Sequence, residues 1–245
     1  MTGPLEWVAV VLAGLAGGFV NTVAGGASLI GLPVLVWLGL PATVANATNN
    51  VATTAQSIAA AVGYARRGFG APRATLILLL PGAVGAAVGA SVVVALPEAV
   101  FRRVVALFMV AALVVVLRPP PAPRGPRTVR RVLTAVAVGL LGVYGGFFGG
   151  GVGLVLLPLV ATGLALDYVT ANGVKSAVAA AMNATAFVVF VASGLVAWRV
   201  AVVFVVAMVL GAQMGVRMAV RRGSRWVRGV LVVVTIAAVP YFWWR

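Results

Sequence analysis

A chain of 245 residues could fold as one large soluble domain or two small ones, but 63% of this one is hydrophobic and only 9% is charged, against about 25% charged in soluble domains. No globule of this length could hide so much apolar surface from water, so the solvent must be lipid. The 18 basic and 3 acidic side chains give a formal net charge of +15, which fits basic cytoplasmic loops orienting membrane spans rather than a nucleic-acid partner.

The chain contains no cysteine and no histidine, and its acids are Glu6, Glu98 and Asp167. Disulfides, thiolate nucleophiles and iron–sulfur clusters are therefore excluded. The usual general base and commonest metal ligand is missing as well. A paired-carboxylate centre would have to recruit two of three distant acids. Neither enzymatic chemistry nor a metal or other cofactor is expected.

No charged residue occurs from Trp7 to Ala65, which is room for two or three crossings at about 20 residues each. Uncharged runs continue over Ala74–Pro97, Val104–Leu117, Val132–Leu166, Ser176–Trp198, Ala201–Val216 and Gly229–Trp244. They divide into about ten apolar segments: 5–23, 27–40, 43–65, 74–96, 99–117, 129–148, 151–165, 168–196, 198–220 and 226–244. The second and seventh are short, nearer to half-helices or re-entrant pieces than to full spans. The start lacks the basic region of a signal peptide, so membrane structure is expected from Leu5 onward. Tyr241-Phe242-Trp243-Trp244-Arg245 reads as an interfacial aromatic anchor.

Alternating the connections between compartments puts Arg66, Arg67, Arg73, Arg118, Arg124, Arg127, Arg130, Arg131, Arg221, Arg222, Arg225 and Arg228 on one side. The other side receives Arg102, Arg103, Arg199 and Arg245. The first side is then cytoplasmic and both termini lie outside. Those arginines serve as orientation signals and headgroup contacts, and could also concentrate anions at a cytoplasmic entrance.

The chain repeats itself weakly. Gly17-Gly18-Phe19, Gly25-Gly26-Ala27-Ser28, Leu32-Pro33, Gly39-Leu40 and Ala45-Asn46 occur in the same order as Gly145-Gly146-Phe147, Gly149-Gly150-Gly151-Val152-Gly153, Leu157-Pro158, Gly163-Leu164 and Ala171-Asn172. Two five-segment units of this kind have inverted topology, the construction of many secondary transporters. The predicted fold is thus an all-α polytopic membrane protein, with residues 1–117 and 129–245 as repeats joined by a stiff Pro/Arg-rich cytoplasmic linker, 118–128.

Glycine clusters at matching places in both halves predict interrupted helices, because non-helical backbone at membrane depth survives only in protein or against a wet cavity. Their N–H groups and positive helix ends would suit an anion. Close helix packing better explains Gly82, Gly85 and Gly89, and Gly211 with Gly215. Lys175, the only lysine, lies inside an apolar segment, where a charge normally faces the bundle interior or an aqueous path. It is the candidate anion anchor, against snorkelling or pairing with Asp167 as the structural readings. Asn46, Asn49 and Asn50, followed by Thr53, Thr54 and Gln56, hold the equivalent place in the first half. Buried amides and hydroxyls need partners, and these could pair across helices or replace the hydration of a polar substrate. Asn21 and Ser28 beside the first glycine cluster, Gly149, Gly150 and Gly151 in the second, and Asn172 and Asn183 complete the candidate site. Asp167 and Glu98, the only groups available for proton coupling, fall at segment ends and are expected to be solvated.

Four motifs in this order carry a family resemblance: Gly25-Gly26-Ala27-Ser28-Leu29-Ile30-Gly31-Leu32-Pro33, Ala45-Asn46-Ala47-Thr48-Asn49-Asn50, Gly145-Gly146-Phe147-Phe148-Gly149-Gly150-Gly151-Val152-Gly153 and Ala171-Asn172-Gly173-Val174-Lys175. Asn183-Ala184-Thr185-Ala186 and Phe190 continue it. The chain resembles the TauE/SafE, or TSUP, family of sulfite exporters over most of its length. The resemblance implies a multi-pass carrier of the bacterial inner membrane for sulfite, thiosulfate or an organosulfonate such as sulfoacetate. Its partners would be the lipid bilayer and a small anionic substrate. An anion channel, or a carrier for another small organic anion, is the alternative.

Overall fold

The computed structural model describes residues 3–97, 99–101, 104, 126–149 and 151–243, and every regular element among them is an α-helix. α1 (Pro4–Val23) and α4 (Pro72–Ala95) both open on a proline, whose missing N–H costs nothing in the first turn. Between them lie the short α2 (Ser28–Trp37) and α3 (Ala42–Ala65). The second half comprises α5 (Arg127–Phe147), the short α6 (Val152–Leu164), α7 (Tyr168–Ala192) and α8 (Trp198–Trp243). Segment 99–117, most of linker 118–128, Glu98, Gly150 and the final Trp244-Arg245 lie largely or wholly outside the described residues.

Five of the helices are long and apolar enough to cross a membrane: Pro4–Val23, Thr75–Ala95, Arg127–Phe147, Tyr168–Ala192 and Trp198–Val234. Although 24 residues long, α3 is too polar for that class. It buries Asn46, Thr48, Asn49, Asn50, Thr53, Thr54, Gln56 and Ser57. Such a helix is tolerable only in the protein interior, and α3 packs against α7 on one side and α8 on another.

Segments 198–220 and 226–244 were expected as separate elements, and α8 does consist of two helices that meet at a kink, where Gly223 takes φ 77° and ψ −178°. One boundary departs from expectation. α7 stops at Ala192 rather than 196, where Gly194 takes φ 68° and Leu195 N–H returns to the Phe190 carbonyl. A glycine in the left-handed region ends helices in this way.

Small residues set the helix pairings. α4 lies along α5, where a Cβ on Gly85 or Gly89 would meet the carbonyls of Gly139 and Val143. α1 lies along α8, where a Cβ on Gly211 would meet the Leu15 carbonyl. These contacts bear out the packing explanation for both glycine series. Further, α3 packs on α7 and α8 while α7 packs on α3 and α4. Large aliphatic side chains such as Leu12, Leu80, Leu133, Leu140 and Leu210 are exposed on the outside of the helices, as a lipid solvent allows.

Candidate functional site

Both glycine clusters break the helix at the same kind of place. α1 ends at Val23, and Gly25 (φ 98°) and Gly26 (φ 104°) carry the chain to α2. α5 ends at Phe147, and Gly149 (φ 72°) and Gly151 (φ 78°) lie before α6. The breaks abut. A Cβ on Gly153 would lie 2.6 Å from the Gly25 Cα, so the two connections meet backbone to backbone and no side chain fits between them.

α3 and α7 cross beside this junction and pin it. Asn46 Nδ2 donates to the Phe147 carbonyl at the end of α5 (3.1 Å), and Asn172 Nδ2 donates to the Val23 carbonyl at the end of α1 (2.8 Å). Each asparagine therefore ties its own helix to the break of the other half. Carbonyls at a helix C-terminus lack intrahelical donors, which is why a side-chain amide is useful there. Lys175 Nζ donates to the carbonyls of Asn21 (2.8 Å) and Thr22 (3.3 Å), with its side chain only 3% exposed. The negative end of α1 suits a cation. Asp167 is not the partner of Lys175: its carboxylate accepts from the N–H groups of Val169 and Thr170 and from Ser224 Oγ.

A cavity of about 40 Å³ opens among the breaks, α3 and α7. Of the sequence-predicted residues, Asn21, Ser28, Asn46, Asn49, Asn50, Gly149, Lys175 and Asn183 line it. Asn172 and Gly151 are buried beside it without lining it. Gly150 lies outside the described residues. Thr53, Gln56, Ser57, Ser176 and Phe190 also contribute to the wall. Ser57 and Ser176 gave no separate signal in the sequence, because a lone serine in a span is ordinarily satisfied by its own helix. Only their positions one turn or so from Thr53 and next to Lys175 would have pointed to them.

Polar groups here form a network about Gln56 and a separate pair, Asn49 with Ser28. Asn21 Oδ1 accepts the Gly26 and Ala27 N–H groups (3.1 and 3.3 Å), and its Nδ2 donates to Gln56 Oε1 (2.6 Å). Gln56 Nε2 donates to Thr22 Oγ1 at 2.7 Å. Ser57 Oγ donates to Gln56 Oε1 and accepts from Asn183 Nδ2, both at 3.3 Å. Asn49 Nδ2 donates to Ser28 Oγ at 2.8 Å. The first break thus spends two of its N–H groups on Asn21, so they are not offered to a ligand as the broken-helix reading expected. The wall instead presents side-chain amides, hydroxyls and one ammonium. Among the described residues no cluster of three acidic side chains could hold a metal ion.

The sequence matches the family described as Sulfite exporter TauE/SafE over residues 10–242. A probable membrane transporter protein, ORF9, from Sinorhizobium sp. is 30% identical over 229 residues, covering 92% of this chain and 88% of the relative. YfcA, a probable membrane transporter protein of Escherichia coli K12, is 28% identical over 246 residues, covering 96% and 88%. A probable membrane transporter protein of Haemophilus influenzae is 25% identical over 227 residues, covering 91% and 88%. No solved structure matches the chain. An apolar all-helical architecture and a family match over nearly the whole length lead to one conclusion: this chain belongs to the sulfite exporter TauE/SafE family and is a multi-pass membrane transporter of a small molecule, not an enzyme.

Proposed function

We propose that the chain exports small sulfur-containing anions, namely sulfite, thiosulfate or an organosulfonate such as sulfoacetate, across the bacterial inner membrane by alternating access. The observation that carries this reading is the buried Lys175 ammonium in the wall of a polar cavity where the two helix breaks meet. Roughly 10–15 Å³ of such space holds one water, so about 40 Å³ suits a ligand of few heavy atoms. The reciprocal ties Asn46 to Phe147 and Asn172 to Val23 support a reading as two inverted repeats that rock about the shared junction. Expelling a monovalent anion from a negative interior releases about 2.3 kcal/mol per 100 mV, so no obligatory coupling ion is required.

Purified protein should gain thermal stability with sulfite or thiosulfate, saturating with concentration as ligand linkage requires. Lys175→Ala should raise the half-saturating concentration about tenfold or more, the scale of one charge-assisted hydrogen bond. In proteoliposomes, internal unlabelled anion should accelerate uptake of labelled anion. Absence of that counterflow, with flux that never saturates, would identify a channel instead.

A further inference from the structure

Hydroxyls inside helices usually donate to the carbonyl one turn back, as Thr54, Thr162, Thr185 and Ser193 do here. Two side chains of the cavity wall have no such outlet. Ser176 is 2% exposed, yet its Oγ bonds neither the Asn172 carbonyl nor any other group among the described residues. Asn50 is 7% exposed, and its Nδ2 is likewise without a partner among them. Both residues line the cavity, and both of these atoms keep accessible surface. Asn50 Oδ1 is sealed in the protein, so the amide turns its donor end to the open space. The other amide nitrogens of the wall are engaged: Asn21 donates to Gln56, Asn46 to Phe147, Asn49 to Ser28 and Asn183 to Ser57.

The two free donors also hold equivalent places. Asn46 and Asn172 are the matched asparagines of the repeated Ala-Asn motif, and each ties its helix to the break of the other half. Asn50 and Ser176 each stand four residues further on, one turn along the same helix face. Each half therefore contributes one unpartnered donor to the cavity, and Lys175 beside Ser176 adds the charge.

From these two free donors at matching positions, we propose that Asn50 Nδ2 and Ser176 Oγ are the pair that grips the oxyanion, each donating to a different oxygen, so that the ligand bridges α3 and α7. This deepens the anion-transport reading above and rests on it. Sulfite, thiosulfate and the sulfonate group of sulfoacetate each carry three oxygens on one sulfur, so any of them can accept both bonds. Hydrogen bonds to an ionised acceptor are about twice as strong as those between neutral groups. The amides engaged within the protein hold the cavity in shape, and Asn50 and Ser176 read its contents.

The test titrates sulfite and thiosulfate against the thermal stability of the purified full chain, its Ser176→Ala and Asn50→Leu variants, and the double variant. Each single substitution should raise the half-saturating concentration about tenfold or more, the scale of one hydrogen bond to a charged group. The double variant should lose the saturable shift. Without ligand, Ser176→Ala should melt close to the parent chain, because its hydroxyl bonds nothing in the fold. A purely structural serine would do the reverse, lowering the ligand-free melting temperature and leaving the half-saturating concentration where it was. Ser176→Ala removes a single oxygen and decides the question by itself if Asn50→Leu fails to fold. An unchanged half-saturating concentration in either folded variant overturns the pair, while the parent's response to sulfite or thiosulfate keeps the anion site. No response of the parent to either anion overturns both.

Discussion

Asp167 caps α7, accepting the Val169 and Thr170 N–H groups and the Ser224 hydroxyl, which ties the start of α7 to the segment of α8 just past Gly223. Burial opposes ionisation of this carboxyl, but the donors from Thr170, Ser224 and Val169 outweigh it and hold it below the ordinary 3.8. A depressed carboxyl stabilises the fold at pH values above its unfolded pKa, and that contribution disappears as pH falls through the folded value. Asp167→Ala should therefore cost about 1 kcal/mol at neutral pH, as loss of an N-cap does. The apparent melting temperature of the parent chain should fall more steeply on acidification below about pH 4 than that of Asp167→Asn. Equal acid sensitivity in the two proteins would remove the cap as its origin. At the same scale, the ammonium of Lys175 was visible in the sequence as an intramembrane charge, but its carbonyl partners were not. Asn21 and Lys175 are 154 positions apart, and no local pattern encodes such a pair.

The elements divide the glycines into two kinds. At Gly211 a Cβ would meet the Leu15 carbonyl, a rigid backbone atom, whereas at Gly39 nothing lies within 4 Å and only the positive φ of 86° resists substitution. Gly211→Ala should destabilise the bundle by about 1–3 kcal/mol through forced separation of α1 and α8. Gly39→Ala should cost about 1 kcal/mol, from backbone strain alone. Denaturation of the two variants in the same detergent checks the order, and a larger loss at Gly39 would contradict it. The polar face of α3 belongs to this scale too. Its amides and hydroxyls marked it as unusual, and its burial between α7 and α8 explains why so polar a helix is tolerated.

For the whole molecule, the proposed inverted repeats place equivalent turns on opposite sides of the bilayer. Gly39, between α2 and α3, and Ala165, between α6 and α7, are both exposed and occupy matching positions after the two short helices. Because the chain has no cysteine, Gly39→Cys and Ala165→Cys can each be read against a silent background with a membrane-impermeant thiol reagent in intact cells. Gly39→Cys should label from outside, and Ala165→Cys should label only after the cells are opened. Labelling of both from one side would rule out inversion. The arginines near Arg66 and Arg221, read as cytoplasmic from their clustering, should lie on the same side as Ala165.

The lipid solvent, the helical class, the absence of catalytic chemistry and the positions of the paired helix breaks were all legible in the sequence. Each follows from local composition: apolar run length, missing residue types, and glycines where a span should be helical. The sequence also pointed to residues that the cavity later gathers, Ser28 through the repeated motifs, Asn49 as an amide in an apolar span and Lys175 as an intramembrane charge. Tertiary structure alone decided that the breaks touch at Gly25 and Gly153, that Asn172 serves as a tie outside the cavity wall, and that Asn21 consumes the N–H groups of its own break. Those outcomes depend on partners more than a hundred residues apart or on how many donors one side chain can satisfy at once. A pattern of residue types says that a buried polar group must find a partner, and only the folded chain says which one it found.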